Sequence, residues 1–316
     1  MTLHRSSGNW KLGLLLAIAT ALCWATLPLT LRVSLEQIDA WTITWIRFVT
    51  AAIALFAWLM FRGRLGAYRS LGTRHWRLMT FAGVMLALNF IGYLFGLKFT
   101  TPGNAQLLIQ AAPLMMALGG IYVFKEQFSG GQWFGLAAIV LGLVLFAWDQ
   151  ASSTSVPATN YPLGAAIVIA SGLVWAIYAL VQKQLLMTIS SQHVLCFIYA
   201  MAAILLLPLA SPAQLLELDS KHAWALAYCC INTIAAYGAF AEALAHWEAS
   251  RVGVVLALTP LLCVLTVHIA HTMNPSLIAP EHIDVLGWVG AGLVILGSAT
   301  GSLTQKRAAV LTAKEG

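Results

Sequence analysis

Neutral amides, hydroxyls and aromatic rings set inside apolar runs are the residues of this chain best suited to binding chemistry. Asn89 and Tyr93 stand one helical turn apart, as do Gln106 and Gln110 just before Pro113. Trp175, Tyr178 and Gln182 fall at i, i+3 and i+7, which places them on one helix face. Asn232 and Thr233 lead to Tyr237 on a similar stripe, and Trp24 lies in the first apolar run. A polar group inside a membrane span is costly unless partnered or wetted, so each is a candidate binding residue. Amides and hydroxyls can hold the carboxylate and ammonium of a zwitterion, while Trp24, Trp175 and the tyrosine rings meet an apolar side chain. The same groups can instead bridge neighbouring helices, at about 0.6 kcal/mol for each hydrogen bond.

The ionisable residues suggest gating or coupling. Glu242 is set well inside an apolar run with His246 one turn later, so the pair could pass protons; it could equally be a local pair near Arg251. Arg47 could draw a carboxylate into an outer vestibule, or snorkel and pair with Asp39 or Glu36. Pro28, Pro113 and Pro260 each withhold a backbone donor and are candidate bending sites. His268 and His271 lack a completing Cys or carboxylate, so no metal is expected. The five cysteines (Cys23, Cys196, Cys229, Cys230, Cys263) form no Cys-x-x-Cys and read as packing residues. With no phosphate-binding loop or dinucleotide fingerprint, no cofactor is expected.

Membrane helices must position these groups. Of 316 residues, 60% are apolar and 9% charged, against about 25% charged in soluble domains. That excludes a water-soluble fold, a disordered chain and a disulfide scaffold. Ten continuous apolar runs follow, roughly 11–33, 41–61, 77–98, 102–124, 131–148, 162–187, 193–210, 222–246, 252–272 and 285–304. Their lack of alternation predicts helices and not barrel strands. With the N-terminus in the cytoplasm, thirteen Lys and Arg fall inside and four (Arg32, Arg47, Lys98, Lys221) outside. This bias accounts for the +6 net charge without nucleic-acid binding and returns the C-terminus to the cytoplasm.

The segment 149–161, free of charge after Asp149, is expected to be an extracytoplasmic linker near the midpoint, and the halves it joins are repeats. Gly13 to Trp24-Ala25 aligns with Gly164 to Trp175-Ala176, and Pro113-Leu114 with Pro260-Leu261. Glu126, Gly135 and Gly142 match Glu281, Gly290 and Gly297 at the same spacings. Five helices per half, an odd number, force the second half to enter from the opposite face. Residues 11–148 and 162–304 are therefore expected to be inverted five-helix repeats, an architecture of secondary transporters.

These matched positions, with the Arg47-Phe48 pair of the second helix, resemble the paired EamA-type repeats of the drug/metabolite transporter superfamily. The likeness spans roughly residues 11–304; about eight extra residues between Pro260 and Glu281 and the lack of a basic counterpart to Arg47 depart from it. The aromatic richness resembles the aromatic-amino-acid (YddG-type) exporter branch. The resemblance implies an exporter in the lipid of a bacterial inner membrane, moving an amino-acid zwitterion by alternating access; the internal repeat makes a monomer sufficient, and the scarcity of buried carboxylates fits facilitated diffusion as readily as antiport with protons. A cation-extruding pump is the alternative, but the first helix lacks the acidic residue it would use. A membrane-embedded enzyme would need more than Glu242 and His246.

Overall fold

The computed structural model describes residues 9–112, 115, 118–119, 129–152, 160–186, 188–247, 252, 255–275, 278 and 283–304. Among these are ten α-helices and no strand. The helices are α1 (Trp10–Ser34), α2 (Ala40–Phe61), α3 (Thr73–Phe99), α4 (Pro102–Leu108), α5 (Gly130–Ser152), α6 (Tyr161–Leu185), α7 (Ser191–Leu206), α8 (Ser220–His246), α9 (Thr259–Met273) and α10 (Val285–Leu303). Short 3-10 turns at Leu65–Ser70 and Pro212–Leu216 lie in the α2–α3 and α7–α8 loops. Six helices are long and apolar enough to cross a membrane, and α7, α9 and α10 are shorter apolar helices. In a bilayer each backbone group must be satisfied within its own segment, which is why such runs become helices. Polar residues at the boundaries stop them: Asp39 accepts from the Trp41 and Thr42 amides, Thr101 from Asn104, and Asp219 from His222.

The largest interfaces join helices from different halves. The most extensive is α5 with α10, then α3 with α6 and α1 with α8, followed by α2 with α7. Glycine explains the first. A Cβ on Gly135, Gly142, Gly290 or Gly297 would sit 2.5–2.6 Å from a carbonyl oxygen of the opposite helix. Gly135 faces Gly297 while Gly142 faces Gly290, so the helices run antiparallel with backbones in contact. These are the glycines whose spacing matched between the halves. Apolar side chains such as Leu15, Ile53, Phe134 and Ile204 point outward, as lipid-facing surfaces do.

Two runs read as continuous are interrupted. Helix α4 ends in a turn at Ile109–Gln110, with Gln110 N bonded to Leu107 O and Ala112 N to Ile109 O. The 252–272 run breaks at Ala257–Leu258, where Leu258 N bonds to Val255 O, so α9 starts only at Thr259. Pro260 thus occupies the first turn of a new helix, where its missing donor costs nothing, and does not bend an unbroken one. Pro113, Glu126, Arg251 and Glu281, with residues 153–159 of the linker, lie outside the described residues. Pro28 is buried inside α1, where it withholds a donor from the Trp24 carbonyl.

Candidate functional site

Where α2, α3, α6, α7 and α8 meet, the core holds a charge. Arg47 is 4% exposed. Its Nε donates to Thr233 Oγ1 at 3.0 Å, and its guanidinium lies 4.7 Å from the Phe90 ring centre. The expected pairing with Asp39 or Glu36 does not occur. Asp39 is taken up in capping α2, and Glu36 binds Lys221 and His222. No ion pair among the described residues includes Arg47, an arrangement that costs several kcal/mol in a low-dielectric interior.

Rings wall this centre. Phe48 packs on Phe90 at 4.8 Å and stacks on Tyr199 at 5.5 Å. Trp24 meets Tyr237 edge-on at 6.0 Å and Phe240 at 5.6 Å. The Trp175 indole is within hydrogen-bond reach of the Tyr237 hydroxyl. Tyr178 and Tyr199 are each 2% exposed, and neither hydroxyl has a hydrogen bond of good geometry, although Gln182 reaches toward the first. An unsatisfied buried hydroxyl costs about 1–3 kcal/mol. Trp24, Trp175, Tyr178, Gln182, Tyr237 and Arg47 are therefore brought together.

The amides of α3 and α4 are placed differently. Asn89 donates to Ser171 O at 2.9 Å, and Asn232 donates to Cys23 O at 2.7 Å. Each asparagine ties the third helix of one half to the first helix of the other. Tyr93 donates to Gln106 Oε1 at 3.3 Å, linking α3 to α4. Gln110 lies half-buried in the α4 break, and at the α9 break the buried Thr259 hydroxyl has no hydrogen-bond partner among the described residues. Glu242 is 66% exposed and 3.6 Å from His246 Nε2, which makes it a surface pair and not part of the centre. His271 Nδ1 meets Ile278 O at 2.9 Å.

Loops close the molecule on either side of this centre. At one end Lys221 Nζ and His222 Nε2 each lie 3.0 Å from Glu36 Oε2. His222 Nδ1 lies 2.7 Å from Asp219 Oδ1, and Gln37 donates to Asp219. Ser211 N donates to Thr42 Oγ1, and Asp39 N to Gln214. Burial pushes the Glu36 carboxyl up, but bonds from His222 and Lys221 outweigh it and hold it below its usual value. Bonds from the His222 backbone and ring likewise hold Asp219 low. At the other end Tyr68 donates to His193 O at 2.8 Å. His193 Nε2 donates to Arg64 O at 2.9 Å, Ser190 lies 2.6 Å from His193 Nδ1, and Thr188 lies 3.2 Å from His75. Burial pushes the Tyr68 hydroxyl up, with Cys196 beside it adding to the rise.

One residue escaped sequence reasoning. Tyr199 was not singled out, and for Arg47, which was, the structure supplies partners other than the expected Asp39 or Glu36. A signal existed for Tyr199: the interval that separates Gly13 from Gly164 and Trp24 from Trp175 also separates Phe48 from Tyr199.

An all-helical chain with apolar spans and a ring-lined polar centre between two halves has the build of a polytopic membrane transporter. The sequence profile of the EamA-like transporter family matches residues 11–148 and 162–300, and the chain belongs to that family. An uncharacterized transporter of Haemophilus influenzae is 32% identical over 295 residues, covering 93% of this chain and 96% of its own. The inner membrane transporter YhbE of Escherichia coli is 32% identical over 91% of this chain and 90% of its own. A protein named as a probable amino-acid metabolite efflux pump of Escherichia coli is 22% identical, covering 89% of this chain and 92% of its own. A solved crystal structure shares the fold, with TM-score 0.64 at 18% identity over 92% of this chain and 96% of its own.

Proposed function

We propose that this transporter exports amino acids, aromatic and other apolar ones foremost, from the cytoplasm across a bacterial inner membrane. Residues 11–148 and 162–304 act as inverted halves that rock about the ring-lined centre. The observation that carries this reading is the pair of loop closures at opposite ends. The α1–α2 loop and the first turn of α2 meet the α7–α8 loop at one end, and the first turn of α7 meets the α2–α3 loop at the other. Exchanging first-half helices for their second-half counterparts turns one closure into the other. A carrier that opens to alternate sides needs two such closures on either side of its site.

Further support comes from the interfaces, since α1 with α8 becomes α6 with α3 under the same exchange. The breaks in α4 and α9 fall just ahead of the matched Pro113 and Pro260, as in transporters whose sites use discontinuous helices. The name of the 22% identical relative supports the substrate class. Asn89 serves as a bridge, and the binding lining consists of Trp24, Trp175, Tyr178, Gln182 and Tyr237.

The test is flux of labelled phenylalanine in vesicles reconstituted with the protein, with and without a pH gradient, competed by other amino acids. Flux lost on Trp175→Ala but kept on Glu242→Gln is expected; no flux of any amino acid would sink the reading. Ser153→Cys and Arg69→Cys should label from opposite sides of the bilayer, and labelling from one side would end the inverted scheme.

A further inference from the structure

We propose that Arg47, together with the hydroxyls of Tyr178 and Tyr199, forms a subsite for one carboxylate between α2, α6, α7 and α8. This rests on the transporter reading and adds which part of the solute is gripped and by what. A guanidinium carries its charge at every accessible pH and presents five donors. Arg47 uses Nε on Thr233 and lays its face on Phe90, while its Nη groups meet no acceptor among the described residues. Thr233 in turn donates to Cys229 O at 2.8 Å, so its lone pair faces Nε and holds the guanidinium plane. Tyr199 stacks 5.5 Å from Phe48, the residue that follows Arg47, and Tyr178 packs in the same buried cluster as Phe48, Phe90 and Tyr199. Both hydroxyls are buried, and neither makes a hydrogen bond of good geometry among the described residues. Unsatisfied donors around one fixed positive charge leave an anion as the missing component.

The charge count selects the anion. Arg47 is the one buried Lys or Arg among the described residues. One cation balances a carboxylate, whereas a phosphate dianion would keep a charge uncompensated in a dry interior. A carboxylate also takes two parallel bonds from the guanidinium fork, with oxygen lone pairs left for the hydroxyls. Tyr237 stands beside the cluster, which places an apolar side chain of the solute against rings.

The experiment measures equilibrium binding to the full-length protein in detergent. The probes are phenylalanine, 3-phenylpropionate, 2-phenylethylamine and phenyl phosphate, with the other free amino acids and their carboxamides. Acids should bind at least about tenfold tighter than their carboxamides and than the amine, and Arg47→Gln should erase that preference. Arg47→Lys, which keeps the charge without the fork, should restore only part of it. Tyr178→Phe and Tyr199→Phe should each weaken acid binding by about three- to tenfold while leaving the amine unchanged. Should Arg47→Gln fail to fold, the acid-to-carboxamide ratio in the unaltered protein decides the matter. Equal binding of acids and carboxamides, tighter binding of phenyl phosphate, or no acid binding at millimolar concentration overturns the proposal. Acid binding through Arg47 without vesicle flux would end the transporter reading and leave the subsite standing. Flux that carries acids and carboxamides alike would do the reverse.

Discussion

At the Glu36 end the halves are joined by side chains that carry charge, while at the Tyr68 end they are joined by rings and backbone carbonyls. Glu36, Lys221 and Asp219 keep 47%, 42% and 53% of their side-chain surface exposed, so water and salt compete for every bond they make. His193 is 6% exposed, and its contacts with Arg64 O, Ser190 and the edge of the Tyr68 ring are shielded. Equivalent loops thus make closures of unequal durability, because a hydrogen bond in a dry site is costly to lose and an exposed ion pair is not. The Glu36 end is the one that solution conditions can loosen.

The largest effect should come from His193→Ala. It strips the shielded closure of two hydrogen bonds and a ring contact, at about 2–3 kcal/mol. Cys196, 5% exposed beside Tyr68, should then react faster with a thiol reagent in a background lacking the other cysteines. Asp39→Ala comes next, with the loss of an N-cap costing about 1 kcal/mol. Hydrogen exchange at Trp41 and Thr42 should accelerate while the Tyr68 end stays protected. Lys221→Ala should cost under about 1 kcal/mol, and molar salt should abolish the difference from the unaltered protein. A comparable opening of both ends by any one change would break the comparison.

Acidity gives the smallest and most selective test. Glu36 and Asp219 both titrate below their usual values in the folded protein. Their contribution is therefore complete above the ordinary carboxylate range, about 3.9–4.3, and is lost as pH falls through the lowered values. Exchange in residues 211–222 should rise on acidification through that window, with residues 64–70 unaffected. Equal rises at both ends would contradict the assignment of charge to the Glu36 closure.

Much of the scaffold was legible because its causes are local. Apolar runs long enough to span, polar caps at Asp39 and Asp219, and matched glycines in α5 and α10 depend on nearby residues or on the repeat itself. The breaks at Ile109–Gln110 and Ala257–Leu258 were missed, since both runs stay apolar across them and only the nearby prolines hint at a stop. Asn89 and Arg47 show the limit most clearly. Periodicity says which face of a helix a residue occupies, yet both roles depend on what that face meets: Ser171 O for the first, Thr233 and Phe90 for the second.

Composition and run length by themselves determined a membrane-embedded chain of apolar helices, because hydrophobic transfer and backbone satisfaction act on each segment independently of its neighbours. Only the tertiary structure decided that the two halves grip each other through α5 with α10 and α2 with α7, that a guanidinium is buried between them, and that among the described residues charged side chains close one end and not the other. Those outcomes turn on desolvation and on contacts between residues far apart in the chain, which come into existence only when the helices pack.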